Sequence, residues 1–406
     1  MTIPKFKTKK KEKLLEELNT AKGLNGVRYL IRKYLPPGFR MALTRESAEF
    51  FLMYYLGFRL PDHQREWIKL WNSDFLELLA PRDHGKSWIF SYGLPLYDLY
   101  DSYIETGCTS VLSRLLGISK TDGQAEKFAI QIKETIEKNE LLAEDFGDIR
   151  DPKRWYTTLF RCKRDWSGGS VEKDYSYESV GVLGAITGGH FSHICCDDLL
   201  DDENTKTVER MISVSNWFWG TIWNLRETST KFSVVGTRKN RRDLYSEILE
   251  KPTWQCLTNR AIIRYPMIPN PEKPGELKQG WLFETTKKRE IEGIKDLHGD
   301  GEKIVDVRIL TDDYQVLWPS SADLDGDGNP KYEKDGRPRL FGWGIKELLM
   351  DLATQGETFF NREKQNEISG ESGVVFKKEW MKFFDTSQLI FNQTDGFHYI
   401  SDITLV

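Results

Sequence analysis

Apolar and polar positions along the chain fall into three regimes. Over residues 56–250, short apolar runs alternate with stretches of helical spacing. Phe75-Leu76-Glu77-Leu78-Leu79 predicts a buried strand, and Trp88-Ile89-Phe90-Ser91-Tyr92 is compatible with a helix. Ile194-Cys195-Cys196 and Phe232-Ser233-Val234-Val235 are further runs suited to strands covered on both faces. Helical patterns are expected over 123–139 and 208–225, with Trp217, Trp219 and Trp223 packing into the core. This alternation predicts an α/β domain on a parallel sheet flanked by helices. Residues 1–55 read as a charged arm and helices, with Leu14, Leu15 and Leu18, then Phe50, Phe51 and Tyr54, at helical spacing. Residues 251–345 are rich in Pro, Gly and charge and read as a linker or small subdomain. A helix pair is expected over 346–370.

Within the linker, Asp323-Leu324-Asp325-Gly326-Asp327-Gly328-Asn329-Pro330 has the acidic spacing of a calcium loop. Lys334 stands at the twelfth position, where such a loop needs a bidentate Glu. A turn-rich hairpin tip is therefore expected instead.

Composition narrows the picture. The 406 residues carry a formal net charge of −4, which excludes a chain that holds nucleic acid by bulk charge. Local basic segments remain, Lys5 to Lys13 and Arg238-Lys239-Asn240-Arg241-Arg242. No apolar run is long enough to span a membrane, and no secretory signal follows the basic start. The five cysteines form neither a disulfide framework nor a zinc spacing, which fits a reducing cytoplasm.

The chemistry concentrates at residues 80–87, Ala80-Pro81-Arg82-Asp83-His84-Gly85-Lys86-Ser87. Preceded by a strand and followed by a helix, this is an Ala-started phosphate-binding loop. Its backbone N–H groups and the helix dipole would face an anion. Lys86 is expected on the β- and γ-phosphates and Ser87 on Mg²⁺. Ala80 replaces the usual first Gly and makes a positive φ there less accessible. The apolar run at 194–196 ends on Asp197 and Asp198. Asp197 is the candidate Mg²⁺ ligand and Asp198 the candidate base for an attacking water. Thr237, at the end of the 232–235 run, is placed to sense the γ-phosphate. Gln64, upstream in Pro61-Asp62-His63-Gln64, is a candidate reader of an adenine edge. The expected cofactors are ATP and Mg²⁺.

These elements, in this order, resemble the large terminase subunit, the DNA-packaging motor of tailed bacteriophages. Ile118 to Phe128, Thr187-Gly188-Gly189-His190, Asp243-Leu244-Tyr245, Leu317-Trp318-Pro319 and Gly356 to Glu363 are similar to further stretches of that family. The resemblance covers roughly residues 55–402. It implies an ASCE-type P-loop ATPase domain at 56–250 and a connector subdomain at 251–395. It also implies that Arg82 couples nucleotide state to movement. A neighbouring subunit's arginine often completes such sites, and Arg114, Arg150, Arg154 and Arg161 are candidates. The implied partners are double-stranded DNA, a portal protein, a small terminase subunit and further copies in a ring, in the host cytoplasm. Residues 396–406 look like the first strand of the family's RNase-H-like nuclease domain, with Asp402 as its first metal-binding acid. The chain stops at Val406, and one carboxylate cannot hold two metals, so no nuclease activity is expected. Two alternatives stay open: a helicase-like or other ASCE motor, and a non-hydrolysing ATP-binding DNA-assembly subunit.

Overall fold

The computed structural model describes residues 8–164, 175–186, 189–270, 272–286, 290–292, 303–334, 336–368, 389–391 and 398–400. An eight-stranded sheet organises the chain. Its strands are β1 (Phe75–Leu79), β2 (Leu115–Ser119), β3 (Arg150–Trp155), β4 (Leu159–Cys162), β5 (Tyr177–Gly181), β6 (Phe191–Asp197), β7 (Arg226–Gly236) and β8 (Gln255–Thr258). They lie in the order β3-β4-β5-β2-β6-β7-β1-β8. From β5 to β8 every pairing is parallel. At the other edge β4 runs antiparallel to both β3 and β5. The sheet is therefore mixed, which corrects the expectation of a purely parallel one. The reason is local: three residues separate β3 from β4, enough for a hairpin but too few for the crossover that parallel strands need.

Helices cover both faces. α1 (Thr8–Thr20), α2 (Gly23–Tyr34), α3 (Pro37–Glu46) and α4 (Ala48–Tyr54) precede the sheet, followed by α5 (Asp62–Lys69). α6 (Leu94–Glu105), α7 (Asp122–Lys138) and α8 (Glu140–Phe146) follow β1 and β2. Alternation along β1 divides the core. Leu76 and Leu78 face a cluster containing Phe51, Trp67, Trp71, Phe90 and Ile132 from the α4–α7 side. Leu79 faces the opposite cluster, where Val214 and Phe218 of α9 (Val208–Gly220) meet Tyr245 and Ile248 of α10 (Leu244–Leu249). The helix expected over 208–225 ends at Gly220 and continues as a 3₁₀ turn, Ile222–Leu225. Trp217, Trp219 and Trp223 are half-buried against this second cluster. Cys195 and Cys196 are buried on β6, facing opposite sides.

After β8 the chain builds a subdomain with its own core. Short antiparallel strands supply Ile262, Phe283, Val307 and Val316. The expected helix pair forms as α11 (Ile345–Gln355) and α12 (Glu357–Gln365), adding Leu348, Leu349, Leu352 and Phe360. The acidic stretch at 323–330 is a turn, as its sequence predicts: Asp325 accepts the N–H groups of Asp327 and Asn329, each at 2.9 Å. Its tip meets the start of α2, where Asn25 N–H donates to the Gly326 carbonyl at 2.7 Å.

Residues up to Ile368 form one compact unit and Ser369–Val406 a second. In the second, Leu389–Phe391 pairs antiparallel with His398–Ile400. Asp402 lies outside the described residues. No described helix is long and apolar enough to cross a membrane.

Candidate functional site

Register brings the chemistry to one edge of the sheet. Leu79 pairs with Gly236, and Val235 pairs with Asp197. The 80–87 loop, Thr237 and the two acids therefore leave from the same end of three neighbouring strands, with β7 between β1 and β6. Ala80 N–H donates to the Gly236 carbonyl at 3.0 Å, and Thr237 Oγ1 donates to the Ala80 carbonyl at 3.1 Å. Thr237 is buried, and its hydroxyl is committed to the start of the loop.

The loop bends at Asp83 (φ +64°) and Gly85 (φ +82°), not at Ala80. Ala80, just past the strand, is fully buried and its φ is not positive, so the first position places no demand for glycine. Gly85 meets two requirements, since its φ is left-handed and an added Cβ would stand 2.4 Å from Gln64 Nε2. Gln64 Nε2 in turn donates to the His84 carbonyl at 3.0 Å. The amide expected to read a base thus has one of its two N–H donors committed to the loop. His84 Nδ1 lies 2.9 Å from the Arg82 carbonyl, which requires its proton on Nδ1. Burial pushes the His84 pKa down to about 3, so the ring is neutral.

Lys86 and Ser87 open a helix, but its continuation, Trp88–Gly93, is π-helical. Leu94 N–H bonds the Ile89 carbonyl, five residues back. Pro95 has no N–H with which to close the ordinary bond to Ser91. Single π turns are frequent at functional sites.

A cleft of about 790 Å³ opens over the loop. Arg82, Asp83, Gly85, Lys86 and Ser87 of the loop line it, together with Asp198 and Gln124. Lys86 is almost fully buried, with Nζ 3.4 Å from Asp198 Oδ1. Asp198 holds a left-handed φ of +47°, fixed by its N–H on the Val235 carbonyl at 2.8 Å. Asp197 lies beneath, 2% exposed, with no hydrogen-bond partner on either carboxylate oxygen. Burial pushes its pKa up to about 7, and the Asp198 charge adds to this. Lys86 and the Ser87 and Ser91 hydroxyls act in the opposite direction. A buried carboxylate without a partner beside a serine hydroxyl is a donor set that fits a divalent cation.

The expected site residues thus divide. Gln64, Asp83, Gly85, Lys86, Ser87 and Asp198 line the cleft, as does the half-exposed Arg82. Asp197 and Thr237 are buried at the same edge, as are Pro81 and His84 within the loop. Arg114, Arg150 and Arg161 pair with Glu227, Asp148 and Asp151, and do not line the cleft.

The opposite end of the cleft was not legible in the sequence. Phe58, Trp88, Trp318 and Phe341 line it, with the Arg59 guanidinium 4.2 Å above the Phe341 ring. These aromatics come from four separate segments, and only Trp88 and Trp318 belonged to stretches of interest. The structure also presents Ser233, His193 and Asp98 in sequence. Ser233 Oγ is 2.8 Å from His193 Nε2, and His193 Nδ1 is 3.5 Å from Asp98. Ser233 and His193 are sealed in the core, with the Trp71 ring centred 3.9 Å from the imidazole and tilted by 31°, so the set is structural.

No protein-family model and no curated protein matches this chain.

Proposed function

We propose that the chain is a P-loop ATPase of the ASCE type, the motor of viral DNA packaging, which couples Mg-ATP hydrolysis to movement of double-stranded DNA into a procapsid. The observation that carries the reading is the pairing of Lys86 with Asp198 at 3.4 Å, in a cleft of about 790 Å³, at the edge where β1, β7 and β6 end together. One strand, β7, lies between the loop strand and the acid strand, which supports the ASCE reading, with Asp198 standing where a Glu is the commoner second acid.

Ser87 and Asp197 would hold Mg²⁺, whose positive charge would offset the charge that develops on the phosphates. Lys86 changes partner when a triphosphate arrives, leaving Asp198 for the β- and γ-phosphates. Asp198 is then free to accept a proton from the attacking water. Thr237 ties the end of β7 to Ala80, so displacement of the loop passes directly to the Arg238–Arg242 segment. Arg238 N–H already bonds Asn366 Oδ1 at 3.0 Å, which links that segment to the end of α12.

The assignment to packaging rests on the order of the motifs and their resemblance to the large terminase subunit. The portal, the small terminase subunit and a ring of copies enter as the partners that resemblance implies. A helicase needs a second nucleotide-facing domain. Among the described residues, the segment after β8 instead holds short antiparallel strands and α11–α12.

ATP turnover, measured with and without duplex DNA on this chain and on Lys86→Ala, tests the reading. Turnover that duplex DNA stimulates and the substitution abolishes is the expected result. Equal turnover in the two proteins would exclude the loop as the site.

A further inference from the structure

The turn at Asp83 is held from outside the loop. A non-glycine residue at φ +64° is costly and persists only where its surroundings fix it. Two groups from the C-terminal subdomain do so. Trp343 Nε1 donates to the Asp83 carbonyl at 3.2 Å. Lys364, near the end of α12, places Nζ 3.1 Å from Asp83 Oδ2 and 3.2 Å from the Arg82 carbonyl. The same ammonium lies 3.8 Å from the centre of the Trp343 ring. The Lys364 side chain is only 2% exposed and does not line the cleft. Lysines are almost never this buried unless paired, and Asp351 Oδ2 stands a further 3.9 Å from the same ammonium.

The neighbours of Lys364 extend the contact. Glu363 O accepts the Arg82 N–H at 2.9 Å, and Lys364 O accepts the Ala261 N–H at 2.8 Å. Asn366 bonds Arg238 N–H and the Asn259 carbonyl. Glu363, Lys364 and Asn366 thus join the loop to the chain just past β7 and β8.

We propose that Lys364 is a positioning residue for triphosphate binding: its ammonium, locked between Trp343 and Asp83, sets the turn that aims the amides of residues 84–87 into the cleft. The proposal rests on the nucleotide reading of that cleft. Lys364 does not line the cleft, so it would act through Asp83 and the Arg82 carbonyl.

Asp83→Asn is the decisive variant. Asn tolerates the left-handed φ, so the backbone is kept while the ion pair is lost. Asp83 lines the cleft, so simple electrostatics predicts that removing its negative charge tightens binding of an anion. The positioning role predicts the opposite sign. Titration of fluorescent ATP with Mg²⁺ into the full chain should show affinity falling by about threefold or more for Asp83→Asn. Lys364→Met should lose about tenfold, and the double variant should lose no more than Lys364→Met alone. Thermal unfolding without nucleotide shows whether each variant is folded; if Lys364→Met is not, Asp83→Asn decides alone. Asp83→Asn binding as tightly as the parent, or more tightly, overturns the proposal and leaves the nucleotide reading standing. A parent chain that binds no triphosphate overturns both.

Discussion

Lys86 and Asp198 form an ion pair in the cleft, although 112 positions and the five strands β2 to β6 lie between them in sequence. Lys86 is buried and Asp198 is about one-third exposed, so the lysine's charge is balanced chiefly by this carboxylate. Substitutions at the two positions should therefore have different effects. Lys86→Ala should remove measurable ATP turnover. Asp198→Asn should retain Mg-ATP binding while turnover falls by about 10²-fold or more. Equilibrium binding measured beside single-turnover hydrolysis separates the two, and an Asp198→Asn protein hydrolysing at the parent rate would remove Asp198 as the base.

Gly85 tests the loop's shape. Gly85→Ala puts a Cβ at φ +82° and 2.4 Å from Gln64 Nε2. The amide must swing away, breaking its bond to the His84 carbonyl. A loss of roughly 1–3 kcal/mol in unfolding free energy is expected, together with weaker nucleotide binding. Denaturant unfolding and ligand titration on the same protein check both.

Glu77, at the centre of β1, gives the fold a pH dependence. It is fully buried, its oxygens have no hydrogen-bond partner, and burial pushes its pKa up to about 9. Nearby Asp243 adds to the shift, while Arg238 and the Cys256 thiol oppose it. The folded chain keeps this proton while the unfolded chain releases it near 4.5. Its stabilising contribution is present in full below that pH and is lost as pH rises towards 9. Glu77→Gln should flatten the decline, by at most about 1.4 kcal/mol per pH unit. Unfolding free energies at pH 5, 7 and 8.5 measure this, and parallel curves for parent and variant would refute it.

Arg40 of α3 and Asp145 of α8 form a buried pair, 2% and 0% exposed. Arg40 Nε donates to Asp145 Oδ2 at 2.7 Å, and the Tyr55 hydroxyl donates to the same oxygen at 2.7 Å. Arg40→Met leaves the carboxylate buried without its cation. It should destabilise the chain by about 3–5 kcal/mol, read as a lowered denaturation midpoint, and leave the cleft chemistry intact in the folded fraction.

The sequence by itself determined the local pieces. The Phe75–Leu79 strand, the Gly-Lys-Ser turn and the helical start were legible because an apolar run, a glycine and a cation follow one another without interruption. The strand ending on Asp197 and Asp198 was legible for the same reason, as were α7, α11 and α12, whose apolar spacing repeats over several turns. Only the tertiary structure decided what those pieces meet. It placed β7 between β1 and β6, turned β3 and β4 antiparallel, and moved the left-handed positions to Asp83 and Gly85. It also brought Lys364 onto Asp83 from 281 residues away and gathered Phe58, Trp318 and Phe341 at one end of the cleft. Periodicity records which face of an element is buried. It does not record the partner that buries it, because contacts between distant segments are fixed by the packing of the whole sheet and its covering layers.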